Sequence, residues 1–224
     1  GSRAIQAGIT SSLVGLLIVL VFVGLYYGRA GLIADITLFI NLFFLLGVMA
    51  AVPGTVLTMP GIAGIVLTIG MAIDANVLIY ERIKEELELG KTLRQAIADG
   101  FKNALSSILD SNVTTFLTGI ILFLFGTGLI KGFATTLIIG ILTSLFAALL
   151  ITRLMVEVYV SRGGTLSFSS SWSKNLFKGS NFDFVSHRRT YYIISTTIIA
   201  LGIVSILIKG FGLGVDFKGG RHPD

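Results

Sequence analysis

The chain has 224 residues, of which 54% are hydrophobic and 13% charged, too apolar a composition for a soluble domain of this length. It has no cysteine, which excludes a disulfide framework and a thiolate metal site. Its net charge of +5 is not a nucleic-acid signal, because the basic residues gather at the ends of apolar runs, where they set orientation in a membrane.

Six apolar runs follow in chain order: Ile9–Tyr27, Leu32–Val52, Gly61–Tyr80, Val113–Ile130, Phe133–Val156 and Tyr191–Ile208. Each approaches the ~20 residues a helix needs to cross a bilayer. The first lacks the basic start and cleavage site of a signal peptide. The pattern predicts an all-α, polytopic membrane protein with six transmembrane helices. Pro53–Pro60 carries no charge, and the turn around Gly126–Gly128 carries only Lys131. The alternate connections hold Arg29, then Arg82, Lys84, Lys91, Arg94 and Lys102, then Arg153, Arg162, Lys174, Lys178, Arg188 and Arg189. These basic connections are expected on the cytoplasmic side.

Between the third and fourth runs, Glu81–Leu89 is expected to continue the third helix out of the membrane, with Gly90 breaking it. Thr92 and Gln95 form a capping box for a new helix over about 92–109. Leu93, Ala96, Ile97, Phe101, Ala104, Leu105, Ile108 and Leu109 recur at helical spacing there. Such a helix lies at the cytoplasmic interface, packs on its neighbours, or does both. Residues 161–189, polar and Ser/Gly-rich with Trp172, read as a cytoplasmic linker, and 211–224 as the start of an extracytoplasmic segment.

Few polar residues enter the runs. Asp74 sits with Asn76 in the C-terminal half of the third. A charged, unpaired carboxylate at membrane depth costs several kcal/mol, so Asp74 is the candidate for proton uptake and release. Asp110, Thr114 and Thr118 recur at four-residue steps beside Ser111, Asn112 and Thr115, a stripe expected to face other helices. Asp110 is placed at a helix start, where capping is the preferred reading over ion handling. Gly70 and Gly140 are expected to let helices pack closely. His187 and His222 fall outside the runs and read as surface residues, not ligands. No nucleotide-binding or hydrolase motif occurs, so no enzyme activity is expected.

The words Leu32-Ile-Ala-Asp35, Pro60-Gly-Ile-Ala-Gly-Ile-Val-Leu-Thr-Ile-Gly-Met-Ala-Ile-Asp-Ala-Asn-Val-Leu-Ile-Tyr-Glu-Arg82, Ile108-Leu-Asp-Ser-Asn-Val-Thr-Thr115 and Phe125-Gly-Thr-Gly128 resemble the membrane part of the SecD/SecF protein-export family, a branch of the resistance-nodulation-division superfamily. Residues 1–160 are then a SecD-like bundle. Asn181–Val185, the run at 190–210 and Leu213–Gly220 resemble the start of SecF, as in a fused SecDF. The family pattern has a further helix and large extracytoplasmic domain before the SecD bundle, and more SecF helices, so the chain reads as a fragment. The resemblance implies a proton-driven auxiliary of the Sec channel, with Asp74 as the relay carboxylate and its relay partners in the SecF half. Implied partners are the Sec channel with its accessory subunits, the translocating unfolded polypeptide, the SecF half and membrane lipid, with no nucleic acid. No cofactor is expected beyond the coupling ion, proton or sodium. Two other readings stay open: a small-molecule exporter of the same superfamily, and a structural scaffold that docks on the translocon.

Overall fold

A computed structural model describes residues 2–53, 55, 57–175 and 185–210. The chain divides into two compact units, residues 1–176 and 177–224. All described elements are helical, and six helices are long and apolar enough to span a membrane.

In the first unit, α1 (Ser2–Tyr27) and α2 (Arg29–Ala51) are joined by Gly28 alone. Gly28 has φ +60°, a conformation that L side chains rarely adopt. The two helices then cross closely, because a Cβ on Gly31 would strike the backbone of Val23. α3 (Met59–Glu88) opens on Thr58, whose hydroxyl accepts from the Gly61 N–H at 3.1 Å, with a proline in the first turn. Its 30 residues make a rod about 45 Å long, more than the hydrocarbon core requires. The surplus is the charged end, Glu81–Glu88, as the sequence predicts.

Gly90, at φ +85°, ends this rod, and the capping box of Thr92 and Gln95 starts the next. Here the structure departs from expectation. No break separates an interfacial helix from the fourth span: α4 runs unbroken from Leu93 to Phe125. The apolar stripe of its first half, including Ala96, Ile97, Phe101 and Ala104, is buried in one cluster with Ile79 and Ile83 of α3. Gly100 sits against Ile83, where a Cβ would collide with both side chain and backbone. Much of the amphipathic face is thus spent on helix packing, while Leu105 and Leu109 stay exposed. Asp110 falls inside α4, so the capping role expected for it is corrected: there is no helix start there to cap.

The fifth span combines α5 (Leu129–Phe146), a π-helical turn at Ala147–Ile151 and α6 (Thr152–Ser161). α3 is its main neighbour. Gly140 rests against Thr68 and Gly64 against Thr136, each so closely that a Cβ would clash. Gly140 thus lies in the contact between α3 and α5. Gly70, by contrast, is exposed, and among the described residues nothing lies within 4 Å of where its Cβ would be, so within this chain it packs against no neighbouring helix.

The polar stretch after α6 packs more than its composition suggests. Leu166 and Phe168 are buried, and Phe168 meets the Tyr80 ring at 5.4 Å. The Trp172 indole N–H donates to the Leu25 carbonyl at 3.2 Å, and the Ser173 hydroxyl to the Tyr26 carbonyl at 2.7 Å. These are carbonyls that the end of α1 would otherwise leave open. The first part of the expected linker is therefore a strap over the α1–α2 turn.

In the second unit, α7 (Arg188–Lys209) is an apolar helix of 22 residues closed by Gly210 at φ +67°. The SecF-like words Asn181–Phe184 and Leu213–Gly220 lie outside the described residues, as does the segment at 211–224.

Candidate functional site

Asp74 stands near the middle of α3, on the face it shares with Ala63, Leu67 and Gly70. All four are exposed within the first unit. The carboxylate opens on a cavity of about 300 Å³ between α3 and α4. α3 contributes Leu67, Met71, Asp74, Ala75 and Leu78, and α4 contributes Ile108, Ser111, Asn112 and Thr115. The wall is apolar except for four groups: one carboxylate, two hydroxyls and one amide.

The α4 polar groups are held by their own helix. Ser111 donates to the Ile108 carbonyl at 3.1 Å and Thr115 to the Ser111 carbonyl at 3.0 Å. Asn112 donates from Nδ2 to the Ile108 carbonyl at 2.8 Å. Such back-bonding is how short polar side chains settle inside a helix. Among the described residues Asp74 enters none of the ion pairs, and no group of three or more acidic or histidine side chains is placed to hold a metal.

The structure thus brings Asp74, Asn112 and Thr115 to one cavity and separates them from the other sequence candidates. Asn76, two residues on, points away from it: its Oδ1 accepts from the Thr152 hydroxyl at 2.9 Å, both residues being buried. Asp110 and Thr114 are exposed on α4 and outside the cavity wall, the Thr114 hydroxyl donating to the Asp110 carbonyl at 3.0 Å. Gly140 belongs to the α3–α5 contact. Sequence reasoning missed Thr152, although a hydroxyl within an apolar run is the same signal that singled out Thr114 and Thr118.

The basic end is equally built from local pairs. Lys91, in the turn between α3 and α4, contacts Glu86 at 2.5 Å and Asp99 at 2.6 Å. The Asp99 and then the Glu86 carboxylate raise the Lys91 ammonium above its ordinary range.

The model of the SecD/SecF protein export membrane protein C-terminal region matches residues 1–162, nearly three quarters of the chain. The chain belongs to the SecD/SecF family. The SecD/SecF GG motif matches residues 204–222. The SecD protein translocase subunit of Rhodothermus marinus is 56% identical over 160 residues, which cover 71% of this chain and 26% of that protein. The Escherichia coli K12 SecD subunit is 51% identical over 158 residues, 70% of this chain and 26% of its own length. The chain therefore spans about a quarter of these relatives. The crystal structure of SecDF from Thermus thermophilus, a translocon-associated membrane protein, matches with a TM-score of 0.84 at 38% identity, over 96% of this chain and 29% of that one. The SecD/SecF resemblance and the multi-pass helical fold are both borne out.

Proposed function

We propose that the chain forms the membrane part of an auxiliary to Sec protein translocation that is driven by the proton-motive force. Asp74 is the group that takes up and releases the transported ion. One observation carries this: a carboxylate near the middle of a spanning helix, on a cavity wall with Ser111, Asn112 and Thr115, with no cation paired to it among the described residues. A bare charge is disfavoured there, so Asp74 is stable either protonated or opposite a charge that moves into place. Exchange between these two conditions couples ion passage to helix movement.

The names of the relatives support the Sec channel and its accessory subunits as partners and an unfolded polypeptide in transit as cargo. The exposed small and apolar residues around Asp74, with Val113 and Leu117 on α4, suit contact with the SecF-type bundle of the same family, with lipid around the rest. The coupling ion is a proton, with sodium as the alternative, and the chain acts as a transport component rather than an enzyme. The setting is the bacterial cytoplasmic (inner) membrane, with Lys91 and the strap on the cytoplasmic side.

Asp74→Asn in the full-length protein tests this. Proton-dependent stimulation of export should be lost while the protein still inserts and folds. Undiminished stimulation would defeat the relay role.

A further inference from the structure

We infer that Asn112 is a positioning residue for Asp74: its side-chain carbonyl accepts the hydrogen that Asp74 carries when protonated, directly or through one water. This rests on the relay reading of Asp74 given above.

Asn112 is 5% exposed, and its Oδ1 has no hydrogen-bond partner among the described residues. A buried acceptor left unpaired is costly, so this oxygen calls for a donor. Its orientation is set by its other end, because Nδ2 is committed to the Ile108 carbonyl. The cavity wall offers three other polar side chains. Ser111 and Thr115 have each given their one hydroxyl hydrogen to a backbone carbonyl. Asp74 remains, and it has a hydrogen to give only when protonated, since a carboxylate is an acceptor alone. Two acceptors on residues that line one small cavity oppose each other, whereas a carboxylic acid beside an amide carbonyl makes a bond. Asn112 therefore distinguishes the two protonation conditions of Asp74. Among the described residues no other ionisable group lines the cavity: Asp110 on α4, Asp35 on α2, Lys131 on α5 and the Arg153–Glu157 pair on α6 all lie outside its wall.

Infrared difference spectroscopy on the chain in lipid nanodiscs, stepped between acid and alkaline pH, tests this. The protonated carboxyl of Asp74 gives a C=O band that is identified by its loss in Asp74→Asn. In Asn112→Leu, which keeps the volume and removes the acceptor, the band should shift to the higher frequency of a carboxyl without that bond. In Asn112→Thr it should stay low, because threonine can donate to the Ile108 carbonyl, as its neighbours do, and keep lone pairs for the cavity. A band unmoved in Asn112→Leu overturns the role of Asn112 but leaves the relay reading standing. Absence of any band that Asp74→Asn removes overturns both. Should Asn112→Leu not fold, amide-labelled asparagine in the unmutated chain decides. An asparagine carbonyl band should move with the pH step, and that movement should vanish in both Asp74→Asn and Asn112→Thr. Persistence in Asp74→Asn refutes the contact.

Discussion

Thr152 donates its hydroxyl hydrogen to Oδ1 of Asn76 across 2.9 Å, joining the residue that follows the π-helical turn to α3 two positions beyond Asp74. A π turn widens the helix by one residue and commonly marks functional places. Here it delivers a hydroxyl to the one buried asparagine that α3 presents on that side. Asp74 and Asn76 therefore serve different walls of the same helix: one opens on a cavity, the other pins the helix in place.

Removing that pin should be costly. Thr152→Val leaves the buried Asn76 oxygen without its donor, and loss of about 1–3 kcal/mol is expected. Thermal unfolding in detergent would register it. Asn76→Leu combined with Thr152→Val should cost less than the two single changes added, because no orphan remains. Additive losses would show that the bond contributes nothing.

Gly140 and Thr68 make a second separable pair. Gly140→Ala puts a methyl group into the Thr68 side chain and should destabilise by about 1–3 kcal/mol through overpacking. Adding Thr68→Gly clears the obstruction and should restore part of the loss. Gly70→Ala, with open space around it, should leave the unfolding temperature of this chain unchanged within error. The contrast between the two glycines is read in one series of melting curves.

The strap predicts its own signature. Phe168→Ala removes a buried ring from the Tyr80 cluster and should cost about 3–5 kcal/mol if the whole unit depends on it. Limited proteolysis distinguishes global from local loss: cutting confined to 165–175 means that the strap alone is released, and cutting throughout means that it supports the bundle.

Lys91 gives a pH dependence with a definite sign. Its folded-state affinity for the proton is raised above the ordinary 10.5, so its contribution is fully present below that value. It fades as the pH climbs through the higher folded-state value. The protection of the amides of residues 88–95, taken as exchange relative to the intrinsic rate at each pH, should therefore be high near neutrality and fall above about pH 10.5, and Lys91→Met should show the low protection near neutrality as well. The pair with Asp99 is exposed and contributes little to global stability, so that part of the effect should stay local.

Topology is open to a direct test. Single cysteines replacing Lys102 and Lys174, both exposed, should react with a membrane-impermeant thiol reagent only once the cytoplasmic face is opened. Labelling in intact spheroplasts would reverse the assigned orientation.

The spans were legible because about 20 apolar residues in a row have few alternatives, and Asp74 because one carboxylate in such a row is conspicuous. The capping box at Thr92 was legible for its local chemistry. What followed it was not. Asp110 and its polar neighbours look like the start of a new helix when read alone. An α-helix tolerates them because their hydroxyls and amides bond back to the preceding turn, as Ser111, Asn112, Thr114 and Thr115 all do. The strap was hidden for the opposite reason. Its serines suggest solvent, yet Leu166 and Phe168 anchor it and Ser173 spends its hydroxyl on α1. Gly70 and Gly140 show the same limit, since a small residue advertises that close approach is permitted, not that a neighbour has made use of it.

The continuity of α4 has a mechanical meaning. It meets α3 at close range at Gly100, pressed on Ile83, and Asn112 lies twelve residues further along, about 18 Å at 1.5 Å per residue. An unbroken helix pivoting at that contact carries any rotation undiminished, so a tilt of about 10° displaces Asn112 by roughly 3 Å, the length of a hydrogen bond. The pivot sits beside the Lys91 turn and the far arm carries one wall of the cavity. A tilt about that contact would therefore change the width of the cavity whose walls carry Asp74 and Asn112.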